Sequence, residues 1–222
     1  MLQCRIKLSS LFQQPEEMKM KKLLLAVSVA ALGLTSTAAL AQSSPWLVRG
    51  RVVNIAPADK SDPVNGAGAA DLITVSKKTI PELDITYFIT PNFAAELILT
   101  YPQKHDVMLN GAKIGTFKHL PPTLSAQYHF TPEADISPYI GAGVNYTRIS
   151  SVNLLNGAGG LEKNSFGLSL QAGVDFKLNK QWSLNLDVKK VQIRSDVTIS
   201  GAKASAVKVD PLLVGVGLGY RF

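Results

Sequence analysis

The last eleven residues, LLVGVGLGYRF, alternate without a break. Leu212, Val214, Val216, Leu218, Tyr220 and Phe222 fall on one side, and Leu213, Gly215, Gly217, Gly219 and Arg221 on the other. Side chains on a strand point to opposite faces with period two, so this is a strand with one greasy face and one nearly bare face. A soluble core, a ligand cavity or lipid would each cover the greasy face. The rest of the chain has to choose among them.

The pattern recurs. Eight alternating runs are legible, beginning with WLVRGRVVNIA (46–56) and ending with the stretch above. Between them lie TIPELDITYFIT, FAAELILTY, PTLSAQYHF, PYIGAGVNYT, a sixth run over 166–176 and WSLNLDVKKVQIRS. In the sixth, Phe166, Leu168, Leu170, Ala172, Val174 and Phe176 oppose Gly167, Ser169, Gln171, Gly173 and Asp175. Three connections are short: TPN, TPEADIS and LNKQ. The alternate ones, about 57–78, 102–121, 148–164 and 196–209, are long and rich in Gly, Asn, Ser and Lys, and read as loops. Short turns at one end and long connections at the other predict an all-β fold, an eight-stranded antiparallel up-and-down transmembrane barrel with both termini periplasmic.

A lipocalin-type soluble barrel also alternates, but with its faces inverted. In runs two to eight the large apolar face carries almost no charge, as a lipid face requires, since a charge near the bilayer midplane costs about 2–4 kcal/mol. The opposite face holds Glu82, Glu96, Asp175, Asp187, Lys189 and Arg221 among many Gly, Ser and Asn. That suits the filled interior of a narrow barrel. Aromatic residues sort by end. Trp46, Tyr87, Tyr128, Phe130, Phe176, Trp182, Tyr220 and Phe222 fall near the short turns, and Tyr101, Tyr146 and Phe166 near the long connections. Two interfacial belts are the natural reading. In hydrocarbon every backbone group needs a partner, so the eighth strand must close on the first.

The N-terminal region adds a compartment. Lys19, Lys21 and Lys22 precede an apolar run from Leu23 to Leu34, which closes on the small-x-small site Ala39-Leu40-Ala41. This is the layout of a secretory signal peptide over 18–41, with 1–17 reading as a mis-called start and 42–222 as the barrel. Removing five basic and two acidic residues from the 23 and 16 of the whole sequence leaves 18 and 14. Much of the basicity therefore belongs to the targeting segment, and no Lys/Arg run points to nucleic acid. Cys4, the sole cysteine, goes with it, so no disulfide framework or thiol metal site is expected.

Several stretches resemble the OmpW family of small outer-membrane barrels: KHLPPTLSAQYHF (118–130), SPYIGAGVNYT (137–147), VDPLLVGVGLGYRF (209–222), and TYPQKHDV (100–107) with its Thr-x-Pro-x-x-His pattern. The resemblance spans about 46–222. It implies a Gram-negative outer-membrane location and a narrow channel for uptake of small hydrophobic molecules. It also implies outer-membrane lipid, lipopolysaccharide, periplasmic chaperones and the barrel-assembly machinery as partners. Ile98 matches an aliphatic residue that narrows the lumen in relatives, whose aromatic partner aligns near Lys189. Tyr220 and Phe222 match the assembly signal. With Phe88, Tyr139 and Leu213, the residues Ile98 and Lys189 make up the candidate channel lining. A sealed structural, adhesive or stress-related barrel is the alternative. What separates the two is whether Phe88, Ile98, Tyr139 and Leu213 line a continuous apolar path.

Enzymatic chemistry is not expected. Glycine patterns such as GAGVNY and GVGLGY do not sit between a strand and an amphipathic helix, so they read as a crowded wall rather than a nucleotide loop. Ser150, Ser151, His105 and Asp106 form no motif that aims a base at a nucleophile. No metal spacing joins His105, His119 and His129, although His105 and His119 flank one external connection and can approach at its mouth. His129 is expected among inward polar contacts with Glu96 or Asp175. Neither a metal nor a cofactor is called for.

Overall fold

The computed structural model describes residues 44–222. The readings of 1–17 and 18–41 lie outside the described residues. In chain order the strands are β1 (Trp46–Ala56), β2 (Lys60–Ser61), β3 (Ile73–Val75), β4 (Lys78–Phe88), β5 (Phe93–Leu99), β6 (Gln103–Leu109), β7 (Ala112–Leu120), β8 (Thr123–His129), β9 (Ile136–Leu154), β10 (Gly159–Leu161), β11 (Asn164–Lys177), β12 (Trp182–Val191), β13 (Arg194–Ile199), β14 (Ala202–Lys208) and β15 (Leu212–Arg221). Eight of them, β1, β4, β5, β8, β9, β11, β12 and β15, pair each with the next in antiparallel fashion. The ring closes where β15 meets β1, in register from Leu47↔Arg221 to Ala56↔Leu212. Closure leaves no edge at the level of the lipid.

Both ends of the described chain sit with the short turns, since the Ser44 amide donates to the Phe222 carbonyl at 2.9 Å. The greasy halves face out, as the alternation requires: Leu168 is 59% exposed, Leu170 65% and Val216 47%. The polar halves are buried inside, among them Glu82, Asp84, Glu96, Gln171, Asp175, Asn185 and Asp187. The aromatic belts form. At the short-turn end Trp46 packs edge-on against Tyr87 at 4.8 Å, and Trp182 and Phe222 flank Tyr220 at 5.0 and 4.9 Å. At the other end Tyr146 meets Phe166 at 6.5 Å.

Glycine on the inner face makes room. A Cβ on Gly217 would lie 2.1 Å from the Gly50 carbonyl, and one on Gly173 would lie 2.4 Å from the Tyr139 phenol. Glycine at these positions lets β15 approach β1 and lets a ring fill the lumen.

The long connections are not loops. They carry β2, β3, β6, β7, β10, β13 and β14, which with the upper part of β9 build a second storey above the ring. Two of its hairpins turn on residues with positive φ: Asn110-Gly111 (φ 48 and 80) and Ser200-Gly201 (φ 51 and 84). Both pairs suit the type I′ turns that join tightly twisted strands. The interior of this storey is apolar, built from Ile73, Val75, Val107, Phe117, Ile149, Leu154, Val191, Ile193, Val197, Val207 and Val209. Its lysines point outward, in the sense expected of a structure surrounded by water.

Candidate functional site: the lumen

The inside of the barrel divides into three levels. The lowest is a vestibule at the short-turn end, where Leu47, Phe88 and Ala94 form a small apolar cluster. The Arg221 guanidinium lies 4.2 Å from the centre of the Phe88 ring. His129 forms the vestibule's roof, tilted against Phe88 at 4.9 Å and Tyr139 at 5.0 Å. Its Nε2 lies 3.2 Å from Gln127 Oε1, so it bonds to that amide and not to the expected carboxylate of Glu96 or Asp175.

The middle level is an ion-pair network that spans the bore. Arg49 holds Asp175 with two contacts, Nε–Oδ1 at 3.1 Å and Nη2–Oδ2 at 2.6 Å, and donates through Nη1 to Asp84 at 3.2 Å and Thr86 at 3.0 Å. Arg51 reaches Asp84 at 2.7 Å, Glu96 at 3.0 Å and Glu82 at 3.1 Å. Tyr139 donates its hydroxyl to Asp187 at 2.8 Å and accepts from Asn185 at 3.1 Å. Lys189 closes the top, 3.4 Å from Glu82 and 3.7 Å from Asp187. Every one of these groups is buried. Buried charges persist only when paired and hydrogen-bonded, which these are. The lattice sets charged and hydrogen-bonded side chains across the bore.

Above it the lining turns apolar. Ile55, Ile80, Ile98, Val191, Ile193, Pro211 and Leu213 surround a lower compartment whose floor is Glu82 and Lys189. An upper compartment within the second storey is lined by Ile73, Val107, Phe117, Ile149, Ile193, Val197, Val207 and Val209, among others. His119 and Ile193 line both, so their side chains stand between the two. They are tight, with about 30 and about 20 Å³ free, space for one or two waters each.

The wall beside the lower compartment is incompletely laced. The β4–β5 ladder stops at Leu83↔Leu99, and the β5–β8 ladder at Ile98↔Thr123. Above these points lie Pro81, Pro102, Pro121 and Pro122. Proline has no N–H to give a neighbouring strand. The Pro81 carbonyl is met by the Thr100 hydroxyl at 3.3 Å in place of a backbone amide. Leu83, Leu99 and Tyr101 are exposed on the outer side of this seam.

His105 and His119 do come together, stacked at 4.8 Å with their rings 12° apart. His105 Nδ1 sits 2.8 Å from the Ser76 carbonyl, so that nitrogen carries the proton. Burial holds His105 below its ordinary range despite that bond. Burial, with His105 and Lys78 adding to it, drives His119 down to about 3, so both rings are neutral near pH 7. Among the described residues no group of three or more His, Cys, Asp or Glu is disposed to hold a metal.

The five residues singled out from sequence all point inward, but they do not form one surface. Phe88 belongs to the vestibule and Tyr139 to the ion-pair level. Ile98, Lys189 and Leu213 border the lower compartment. The apolar path that would join them is interrupted by the charged lattice. Arg49 and Arg51 are absent from the lining expected from sequence, because the faces of WLVRGRVVNIA do not separate charged from apolar residues as clearly as those of the later runs. A charge count would have found them: Glu82, Asp84, Glu96, Asp175 and Asp187 need more than Lys189, and two arginines spaced two apart on one strand are the available partners.

A family model described as the OmpW family matches residues 42–222. An uncharacterized outer-membrane protein, y4mB of Sinorhizobium fredii, is 40% identical over 186 residues, covering 81% of this chain and 80% of its own. The dibenzothiophene metabolism operon protein PahQ of Pseudomonas aeruginosa is 28% identical over 194 residues, covering 82% of this chain and 90% of its own. The crystal structure of the outer membrane protein OprG from Pseudomonas aeruginosa superposes with a TM-score of 0.72 at 28% identity, over 82% of this chain and 97% of that one.

Proposed function

The chain belongs to the OmpW family and lies in the Gram-negative outer membrane, and from that premise we propose that it is a non-enzymatic conduit that takes small apolar molecules from outside the cell into the outer-membrane hydrocarbon. The observation that carries this reading is the order of levels along the bore. An apolar chamber lies above, a charged lattice crosses the bore below, and a seam poor in backbone pairing lies beside the chamber floor. A solute that enters from above meets no apolar route onward except sideways, past Leu83, Leu99 and Tyr101 into lipid. The chamber is too tight to hold a solute without movement of Ile193 and Leu213, so passage requires side-chain displacement rather than free diffusion. That a relative's name refers to dibenzothiophene metabolism supports an apolar, aromatic class of solute.

Uptake of a radiolabelled polycyclic hydrocarbon by cells with and without the protein tests this. Expression is expected to raise the initial rate several-fold, and Leu213→Trp, which fills the lower compartment, to abolish most of the gain. Equal uptake in all three strains would establish the sealed, structural reading, which the ion-pair lattice favours. The remaining partners follow from the same premise. Lys104, Lys118 and Arg148 are exposed just above Tyr101 and Tyr146, where outer-leaflet glycolipid phosphates lie. Tyr220 and Phe222, packed edge-to-face at 4.9 Å, end the last strand where periplasmic chaperones and the assembly machinery would read it. Phe222→Ala is expected to lower the amount of folded barrel in the outer membrane.

A further inference from the structure

The apolar chamber contains a polar element that the transport reading does not use. His119 lines both compartments at their junction and is 4% exposed. In the upper compartment the other polar side chain is Ser195, whose hydroxyl already donates to the Glu162 carbonyl. In the lower one, Asn145 donates to Pro121, Pro122 and Thr123, and Lys189 and Glu82 hold each other. Among the described residues no hydrogen bond reaches the His119 ring. Behind it His105, 1% exposed, has spent its Nδ1 proton on Ser76, and its Nε2 is buried with no donor opposite. Phe117 packs alongside at 5.9 Å from His119. A neutral imidazole with unmatched nitrogens on the wall of an apolar cavity, stacked on a second whose Nε2 is also unmatched, amounts to stored hydrogen-bonding capacity, since a buried polar group without a partner is unfavourable until something supplies one.

We propose that His119, backed by His105, is the specificity-determining residue of the chamber, and that it selects apolar ring compounds bearing one hydroxyl or N–H over their parent hydrocarbons. A neutral imidazole offers one donor and one acceptor. A phenol or ring alcohol can donate to or accept from one ring nitrogen, and its apolar body lies against a lining that is mostly Val, Ile, Leu and Phe. The polar side chains elsewhere in the lining are already paired, so a second polar group on the solute competes with existing bonds, and a charged solute is excluded more strongly. The inference rests on the proposed uptake function, because it assumes that the chamber receives a solute.

The test is binding of 1-naphthol and naphthalene to the full chain in nanodiscs, followed by the probes' own fluorescence and corrected for partition into empty discs. Wild type is expected to bind the naphthol at least about fivefold more tightly. His119→Phe keeps a flat ring and removes both nitrogens. It is expected to weaken naphthol binding to the level of naphthalene, leaving naphthalene unchanged. His119→Gln, which retains a donor and an acceptor, should restore part of the preference and serves if the phenylalanine variant does not insert. Equal binding of the two probes by wild type, or a preference that survives His119→Phe, overturns the role of His119 while leaving uptake intact. Binding of neither probe overturns the uptake reading and this inference with it.

Discussion

The two storeys of this protein are built on opposite rules from continuous strands. Along β12 the inward side chains are Ser183, Asn185, Asp187 and Lys189, and then Val191. Along β9 they run from Ser137 and Tyr139 through Asn145 and Thr147 to Ile149 and Leu154. Along β1, Arg49 and Arg51 give way to Val53 and Ile55. Below the crossing the barrel is polar inside and apolar outside; above it the order reverses. The medium explains both. Where lipid surrounds the wall, apolar side chains gain nothing by turning inward and charges must leave the lipid face. Where water surrounds it, burying apolar surface again drives folding. The apolar chamber exists because of that reversal, since it is the hydrophobic core of the upper storey continued down to the charged lattice.

If the lower storey is held by its internal charges, the largest effect comes from removing one side of the lattice. Arg49→Met strips Asp175 of its arginine and leaves Asp84 with Arg51 alone, and is expected to cost about 3–5 kcal/mol in guanidinium unfolding from lipid vesicles. A cost near zero would mean that the lower storey owes nothing to its ion pairs. The rule for the outer surface is probed by Val216→Arg, at the middle of β15 between Val52 and Leu186. Near the midplane it is expected to cost about 2–4 kcal/mol. Replacing Lys118, outward on the upper storey, by leucine should change stability by less than about 0.5 kcal/mol. Comparable costs at the two positions would erase the distinction between a wall in lipid and a wall in water.

The pattern of the lower storey was legible in the residues because period two and face composition fix it jointly. Leu168, Leu170 and Val216 cannot face inward without turning Gln171 and Gly217 out. The upper storey was harder to read for a physical reason. Its strands are short, their outward positions mix Lys, Thr and Ser with small residues, and the low apolar contrast reads as loop. One signal was present and unused: Asn110-Gly111 between Gln103–Leu109 and Ala112–Leu120 is a hairpin turn pair flanked by alternation. The candidate lining was legible as to direction but not as to level. Alternation says which way Phe88, Ile98 and Tyr139 point, and not which of them a charged layer separates.

The storeys should also part company on acidification. His119 sits at about 3 and His105 below its ordinary range, whereas an unfolded histidine takes up its proton near 6.5. Folded-state values depressed in this way contribute stability that is complete above about pH 6.5 and is lost as the pH falls toward 3. The charged groups nearest the pair are His105's neighbour Asp106 and Lys78, which oppose each other. Hydrogen exchange of β6 and β7 amides, corrected for intrinsic rates, should therefore speed up between pH 7 and pH 4.5. Exchange in the ladder of β1 with β15, two strands that carry no histidine, should rise less. Parallel loss in both would tie the storeys into one cooperative unit.

A backbone change at one turn isolates the upper storey from the lower. Gly111 takes φ 80 at the tip of the β6–β7 hairpin, with nothing within 4 Å of where a Cβ would stand. Gly111→Ala therefore meets no neighbour, and its effect is confined to forcing an L-residue into the left-handed region, about 1–2 kcal/mol. In a barrel that melted as a whole, so small a penalty would spread over every amide. In a molecule whose upper storey rests on its own apolar core, the penalty should appear as faster exchange in β6, β7 and their neighbour β3, with the β1–β15 closure unchanged. Since β7 carries His119 and Phe117, the same variant should loosen the chamber. On the proposed uptake reading, the initial uptake rate should then rise, with little loss of folded protein.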